Sequence, residues 1–377
     1  MKLKRSASQA LLLFLAASLA AILTFLSKPK TGEESLEQQL TRSLAENVIV
    51  DFHRRFAQST QSFSESARTF CESPDNATYQ TLRQHWVNSM SDWQAVQSIN
   101  FGPIVEDNQS WRIQFWPDKK NLVGRKIKSL LNSQADITPE ILSEASVVIQ
   151  GLSALEYLLF DGKGGTLDRY QQHPLAERQC SLLKSSANLS HRTAEKLFTE
   201  WQDKQFLDSF LAEVKPDEDK LNQKSSALTL VMESLLASLE VVINDKVGAP
   251  LGLKNSAKKP QPFLAEAWRS QKSLDLVRAK LQSIRRLLVN GELLGITDYL
   301  IALDQQHIAN KALTHLDRAI ELLQEIQQPL VIAIRNETQI QILQEAHGEL
   351  SQLMKLMKTD IPEALNIVLG FNDNDGD

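Results

Sequence analysis

One acid stands in the most apolar stretch of the chain's middle: Glu156, within Gly151-Leu-Ser-Ala-Leu-Glu-Tyr-Leu-Leu-Phe160. The stretch predicts a helix, and helical neighbours lie three and four positions apart. Glu156 therefore shares a face with Leu152, Ser153, Leu159 and Phe160. A charge buried unpaired among such side chains costs several kcal/mol or more. The carboxylate is thus either a functional acid, with Gly151 and Ser153 beside it, or a group at a helix–helix seam bound to a backbone donor or an Arg.

Other candidates are thinner. The seven histidines are His53, His85, His173, His191, His307, His315 and His347, and no H-E-x-x-H pair is among them, so zincin peptidase chemistry has no support. Asp304 and His307 stand at i and i+3, with His315 two turns further on. They form a mixed carboxylate–imidazole site if their helix faces Glu156, and a solvated face otherwise. His191 and Glu195 at i and i+4 read as a surface pair. Ser153 lacks the strand-to-helix elbow and the visible base of a hydrolase nucleophile. The cluster Asp161-Gly-Lys-Gly-Gly165 lacks Walker spacing and follows a helix, so it reads as a glycine stop. The ending Gly370-Phe-Asn-Asp-Asn-Asp-Gly-Asp377 starts like a calcium loop but lacks the Glu that would close one; it reads as a tail tucked onto the body.

The elements that must position these groups are helical. Leu, Ala, Glu, Gln and Lys recur in long runs, alternating β-branched stretches are scarce, and the fold class is all-α. A first helix is predicted over 36–72 on the stripe Leu40, Leu44, Val48, Phe52 and Phe56, and a second over 77–99 with Leu82, Trp86, Met90 and Trp93 as core. Residues 101–118 are predicted as a non-helical pin, with Gly102 and Pro103 setting the turn and Asp118 capping the next helix. A short amphipathic piece covers 119–133. Thr138 and Pro139 then open a helix predicted to run through Glu156. Helix continues over 175–212, and the charged stretch around Pro216 reads as a hinge. Further helices are expected at 221–245, followed by a turn through Val247–Gly252, then at 271–290, 293–325 with a break, 335–357, and a last short one. This gives an N-terminal half over 36–214 and a C-terminal half over 215–377. A long helix followed by a Gly/Pro turn in each half hints at internal duplication.

The first thirty residues predict export. Lys2, Lys4 and Arg5 precede an uncharged run over 10–26, which reads as a signal peptide or an uncleaved inner-membrane anchor. No Cys stands near residue 20, which excludes a lipoprotein anchor. The two cysteines, Cys71 and Cys180, suggest a disulfide in an exported chain, with two buried free thiols as the alternative. The net charge of −5 argues against nucleic acid as a partner.

Gly151, Glu156 and Tyr157-Leu-Leu-Phe160 resemble the signature Gly-x-His-x-x-Glu … Tyr-Leu-Leu-Phe/Trp-Gly of imelysin-like proteins, the M75 peptidase family. Phe101-Gly-Pro-Ile104, Trp116-Pro-Asp118, the Pro250-Leu-Gly252 turn, Ala265-Glu-Ala-Trp-Arg-Ser270 and the Gly370–Asp377 ending are similar to further family stretches, in order, over roughly residues 40–377. The family's His position holds Ser153. The resemblance implies a two-lobed helical bundle with a cavity beside the signature helix. It also implies an envelope protein of a Gram-negative bacterium, periplasmic or anchored, linked to iron uptake. In the family the His and Glu are proposed metal ligands. Here Glu156 remains, a serine hydroxyl is a poor ligand for zinc or iron, and any iron or divalent metal site is weakened. The sequence fixes no cofactor. The favoured expectation is a non-catalytic binding or accessory protein with an iron-related ligand or an envelope protein partner. The alternatives are an M75-type metallopeptidase and a docking protein with a vestigial site.

Overall fold

Leu40, Leu44, Val48, Phe52 and Phe56 repeat every fourth residue, while an α-helix turns once in about 3.6. Such a stripe drifts by roughly 40° per repeat on a regular helix and would leave the core within a few turns. In the computed structural model, which describes residues 34–118, 120–162, 165–212, 226–257 and 259–370, the chain passes from α1 (Leu36–Leu44) through a wider π-helical turn (Ala45–Ile49) into α2 (Val50–Glu72). The wide turn takes up the drift, and all five side chains are buried. A capping box starts α1: Ser35 Oγ accepts from Gln38 N–H, and Gln38 Oε1 accepts from Ser35 N–H. A second box between Asp75 and Thr78 starts α3 (Asn76–Val96) after the Ser73–Pro74 break.

Residues 101–118 differ from the predicted non-helical pin. They hold a 3-10 turn (Gly102–Asn108) and the short helix α4 (Gln109–Ile113) before an extended stretch. Gly and Pro mark only the entry; the left-handed residues Asp107 and Asn108 separate the two turns. Asp118 caps α5 (Leu122–Leu131), each carboxylate oxygen accepting a backbone N–H, from Leu122 at 2.7 Å and Val123 at 3.0 Å. The helix predicted to run from Thr138 through Glu156 is two. Thr138 caps α6 (Pro139–Glu144), the backbone extends at Ala145, and α7 (Gly151–Phe160) starts afresh.

A long helix, α8 (Ala176–Gln202), packs on α2 and carries α7 against it. Asp203 breaks the run and caps α9 (Lys204–Leu211). Cys71 of α2 and Cys180 of α8 are joined by a disulfide, with Cα atoms 5.7 Å apart. In the second half α10 (Ala227–Val241) also enters a π-helical turn, Val242–Gly248, and stays helical through Leu251, so the predicted turn begins only at Gly252 (φ +78°). The run Ala227–Leu251 is long and apolar enough to cross a membrane by length and composition, but it is mostly buried in the bundle. It packs on α11 (Ser273–Leu288) and, past α12 (Ile296–Ala302) and α13 (Gln306–Glu325), on α14 (Glu337–Lys358), which α15 (Asp360–Leu365) follows. The halves meet where α3 packs on α11. Among the described residues there is no strand, only one isolated bridge between Asn290 and Leu293. The leader (1–30), the hinge around Pro216 and the tail from Phe371 onwards lie outside the described residues.

Candidate functional site

Gly151 is the first residue of α7 and adopts φ +65°, where a side chain is strained. A Cβ there would stand 2.3 Å from the carbonyl oxygens of both Arg112 and Ile113. The glycine thus lets α7 start directly on the backbone that ends α4. Two residues on, Ser153 Oγ donates to the Phe115 carbonyl at 3.0 Å, and the Leu152 carbonyl accepts from the Trp86 indole at 3.0 Å. The start of α7 is thus fixed to the 112–115 backbone and to α3.

Glu156 is buried at 6% exposure. Its Oε1 accepts from Ser270 N–H at 2.9 Å and from Ser270 Oγ at 3.0 Å. Burial pushes its carboxyl above the usual glutamate range, opposed by the Ser270 N–H, the Arg269 charge and the Ser270 hydroxyl. The Arg269 guanidinium does not bind Glu156 directly. It bonds Asp161 at 3.1 Å and Asn121 at 2.6 Å, and lies over the Trp268 ring at 4.4 Å.

A cavity of about 30 Å³ remains beside these groups, lined among others by Ser153, Glu156, Asp118, Trp116, Trp268 and Arg269. That is room for a water molecule or two, by the roughly 10–15 Å³ each requires. The donor set does not fit a transition-metal ion. Both Asp118 oxygens are taken by backbone N–H groups, the Ser153 proton is donated to a carbonyl, and a guanidinium lines the same wall. Among the described residues no three His, Cys, Asp or Glu side chains converge. Asp304 and His307 do not share a helix: Asp304 is left-handed in the turn after α12 and His307 stands in the first turn of α13, both exposed and outside the lining of the Glu156 cavity. His315 instead pairs with Glu349 of α14 at 2.6 Å.

Behind this site lies a polar network that the residue pattern did not reveal. Lys246, in the second π-helical turn, donates to Gln94 Oε1 at 2.8 Å and to the Glu266 carboxylate. Glu266 also accepts from Gln114 at 2.8 Å, and Gln114 accepts from the Trp93 indole at 2.6 Å. Lys246 and Glu266 are each 1% exposed. Burial lowers the lysine's pKa, against the attraction of Glu266. Nearby Lys280 is also 1% exposed, and burial followed by the Lys246 charge drives its pKa well below the ordinary lysine value. The loop Phe263–Lys272 thus clamps both halves, Ser270 to α7 and Glu266 to α3 and Lys246. One signal stood in the sequence, Lys246 at the end of the apolar helix that continues from 227 and Glu266 between two alanines. Spacing gave no means of pairing them.

Residues 49–357 match the family model described as Imelysin, peptidase M75. Two solved structures share the fold. One is an imelysin-like protein from Psychrobacter arcticum, 21% identical, with a TM-score of 0.73 over 90% of this chain and 99% of that one. The other is a candidate iron-regulated protein A precursor from Parabacteroides distasonis, 14% identical, with a TM-score of 0.64 over 89% of this chain and 97% of that one. No curated protein matches the sequence.

Proposed function

Because the chain belongs to the imelysin family, we propose that it is an exported cell-envelope protein that serves iron uptake as a binding or accessory protein and cleaves no peptide bond. The observation that carries the non-catalytic part is the state of the signature helix. Ser153 stands where the family places an imidazole and is bound to the Phe115 carbonyl, while Glu156 is engaged by Ser270. A metallopeptidase needs a metal with an open position for water, and the side chains around Glu156 do not supply its ligands. Glu156 instead ties the signature helix to the Phe263–Lys272 loop of the other half. The link to iron rests on the family and on the name of the Parabacteroides neighbour, which also names that protein a precursor. Export rests on that name and on the charged, then apolar, first thirty residues. The periplasm of a Gram-negative cell is the compartment this implies, with residues 10–26 as signal or inner-membrane anchor.

The test is uptake of radiolabelled iron by a deletion strain under iron limitation. The wild-type gene restores uptake in that strain, and unchanged uptake on deletion overturns the proposed role. Chelator-sensitive cleavage of casein by the purified protein overturns the non-catalytic part alone.

A further inference from the structure

A second cavity, of about 270 Å³, shares the walls Gln114 and Trp116 with the Glu156 cavity but contains neither of its acids. Its volume lies just under the roughly 300–1,000 Å³ range of small-molecule pockets. Three indoles line it, those of Trp93, Trp111 and Trp116. Lys280 reaches it from α11, a buried side chain whose amine makes no hydrogen bond with a described residue. Gln97 contributes a buried Oε1, also without a hydrogen-bond partner. Buried polar groups left open in this way are costly, and they mark places where a ligand or water completes the set.

Glu266, the carboxylate whose attraction reaches Lys280, is already bonded to Lys246. Among the described residues no Asp or Glu lines the cavity. The open position therefore takes an anion at the amine, an aromatic body against the indoles, and a hydrogen-bond donor toward Gln97.

We propose that this cavity binds a small aromatic carboxylate bearing a hydroxyl or N–H donor, with Lys280 as the residue that recognises the carboxylate. The site is separate from the Glu156 clamp and does not depend on the iron-uptake reading. Burial favours the neutral amine while the site is empty; a bound carboxylate supplies the charge that holds the proton on Lys280, and a charge-assisted bond against the indoles is stronger than one in water. Lys280 thereby sets selectivity for acids over neutral analogues of the same shape.

The probe is 4-hydroxybenzoate, titrated into the intact protein at neutral pH by calorimetry and by quenching of tryptophan emission. Saturable one-to-one binding is expected, with 4-hydroxybenzamide weaker by at least about tenfold. Lys280→Met removes the amine but not the volume, and weakens 4-hydroxybenzoate by a similar factor while leaving the amide unchanged. Should that variant fold poorly, Ala237→Phe fills the cavity from α10 with Lys280 intact and abolishes binding of both probes. Equal affinity for acid and amide, wild-type affinity in either folded variant, or no saturation at millimolar probe overturns the proposal.

Discussion

Replacing Glu156 by Ala and by Gln separates a clamp from a metal ligand. In the clamp, Ala removes the acceptor of the half-buried Ser270 N–H, which is left unbonded; the Ser270 hydroxyl keeps the Ala267 carbonyl, at 2.9 Å, as a second acceptor. One orphaned donor costs about 1–3 kcal/mol. The one lost methylene, Cγ, adds about 0.8 kcal/mol, and release of a buried charge offsets part of this. The net loss for Glu156→Ala is about 1–3 kcal/mol. Gln retains an oxygen at the same reach and needs no buried charge, so Glu156→Gln costs less than about 1 kcal/mol at neutral pH. The pH dependence has a definite sign. A folded-state pKa raised above 4.5 means that the folded protein holds this proton longer than the unfolded chain. The stabilisation from that proton is full below about pH 4.5 and is lost as pH rises through the folded value. The wild type therefore loses stability relative to Glu156→Gln over that interval. Urea unfolding of the three proteins, followed by circular dichroism at several pH values, measures all of this. If Ala and Gln cost the same, or if both abolish a metal-dependent rise in wild-type stability, the clamp reasoning is refuted.

Two further predictions concern the core. His53 is fully buried on α2, its Nδ1 bonded to the Ile49 carbonyl at 2.8 Å and its Nε2 without a partner, and burial lowers its pKa from 6.5 to about 4. The unfolded chain therefore takes up this proton first, and stability falls by roughly 3 kcal/mol as pH drops from 6.5 to 4; His53→Leu removes that part of the slope, and an unchanged slope in its acid unfolding curve would count against it. Glu266→Gln leaves Lys246 buried without its bonded counter-charge and costs about 3–5 kcal/mol in urea unfolding, much of which Lys246→Met restores in the double variant; strictly additive losses would show that the pair is not coupled.

Much of the scaffold was legible from residue patterns. The stripes of α2, α3, α8, α11 and α14 are local properties, because a helix closes its own hydrogen bonds and needs only an apolar face and a cap. Asp118 was readable as a cap for the same reason. Boundaries failed where a neighbour decided them. The predicted helix through Glu156 breaks before Gly151 because the ends of α4 and α7 meet backbone to backbone. The turn after α10 comes late because a π-helical turn carries Lys246 inward to Glu266.

From its order of residues alone, this chain settled an all-α class, its family and the oddity of an acid in an apolar helix, since each is written in neighbours along the chain. What that acid touches was decided by folding. Ser270 and Arg269 stand more than a hundred positions away in sequence, and no periodicity relates two points brought together by a loop. The same holds for Lys280 and its cavity: a lysine on a helix reads as solvated until the packing of α3, α10 and α11 closes over it.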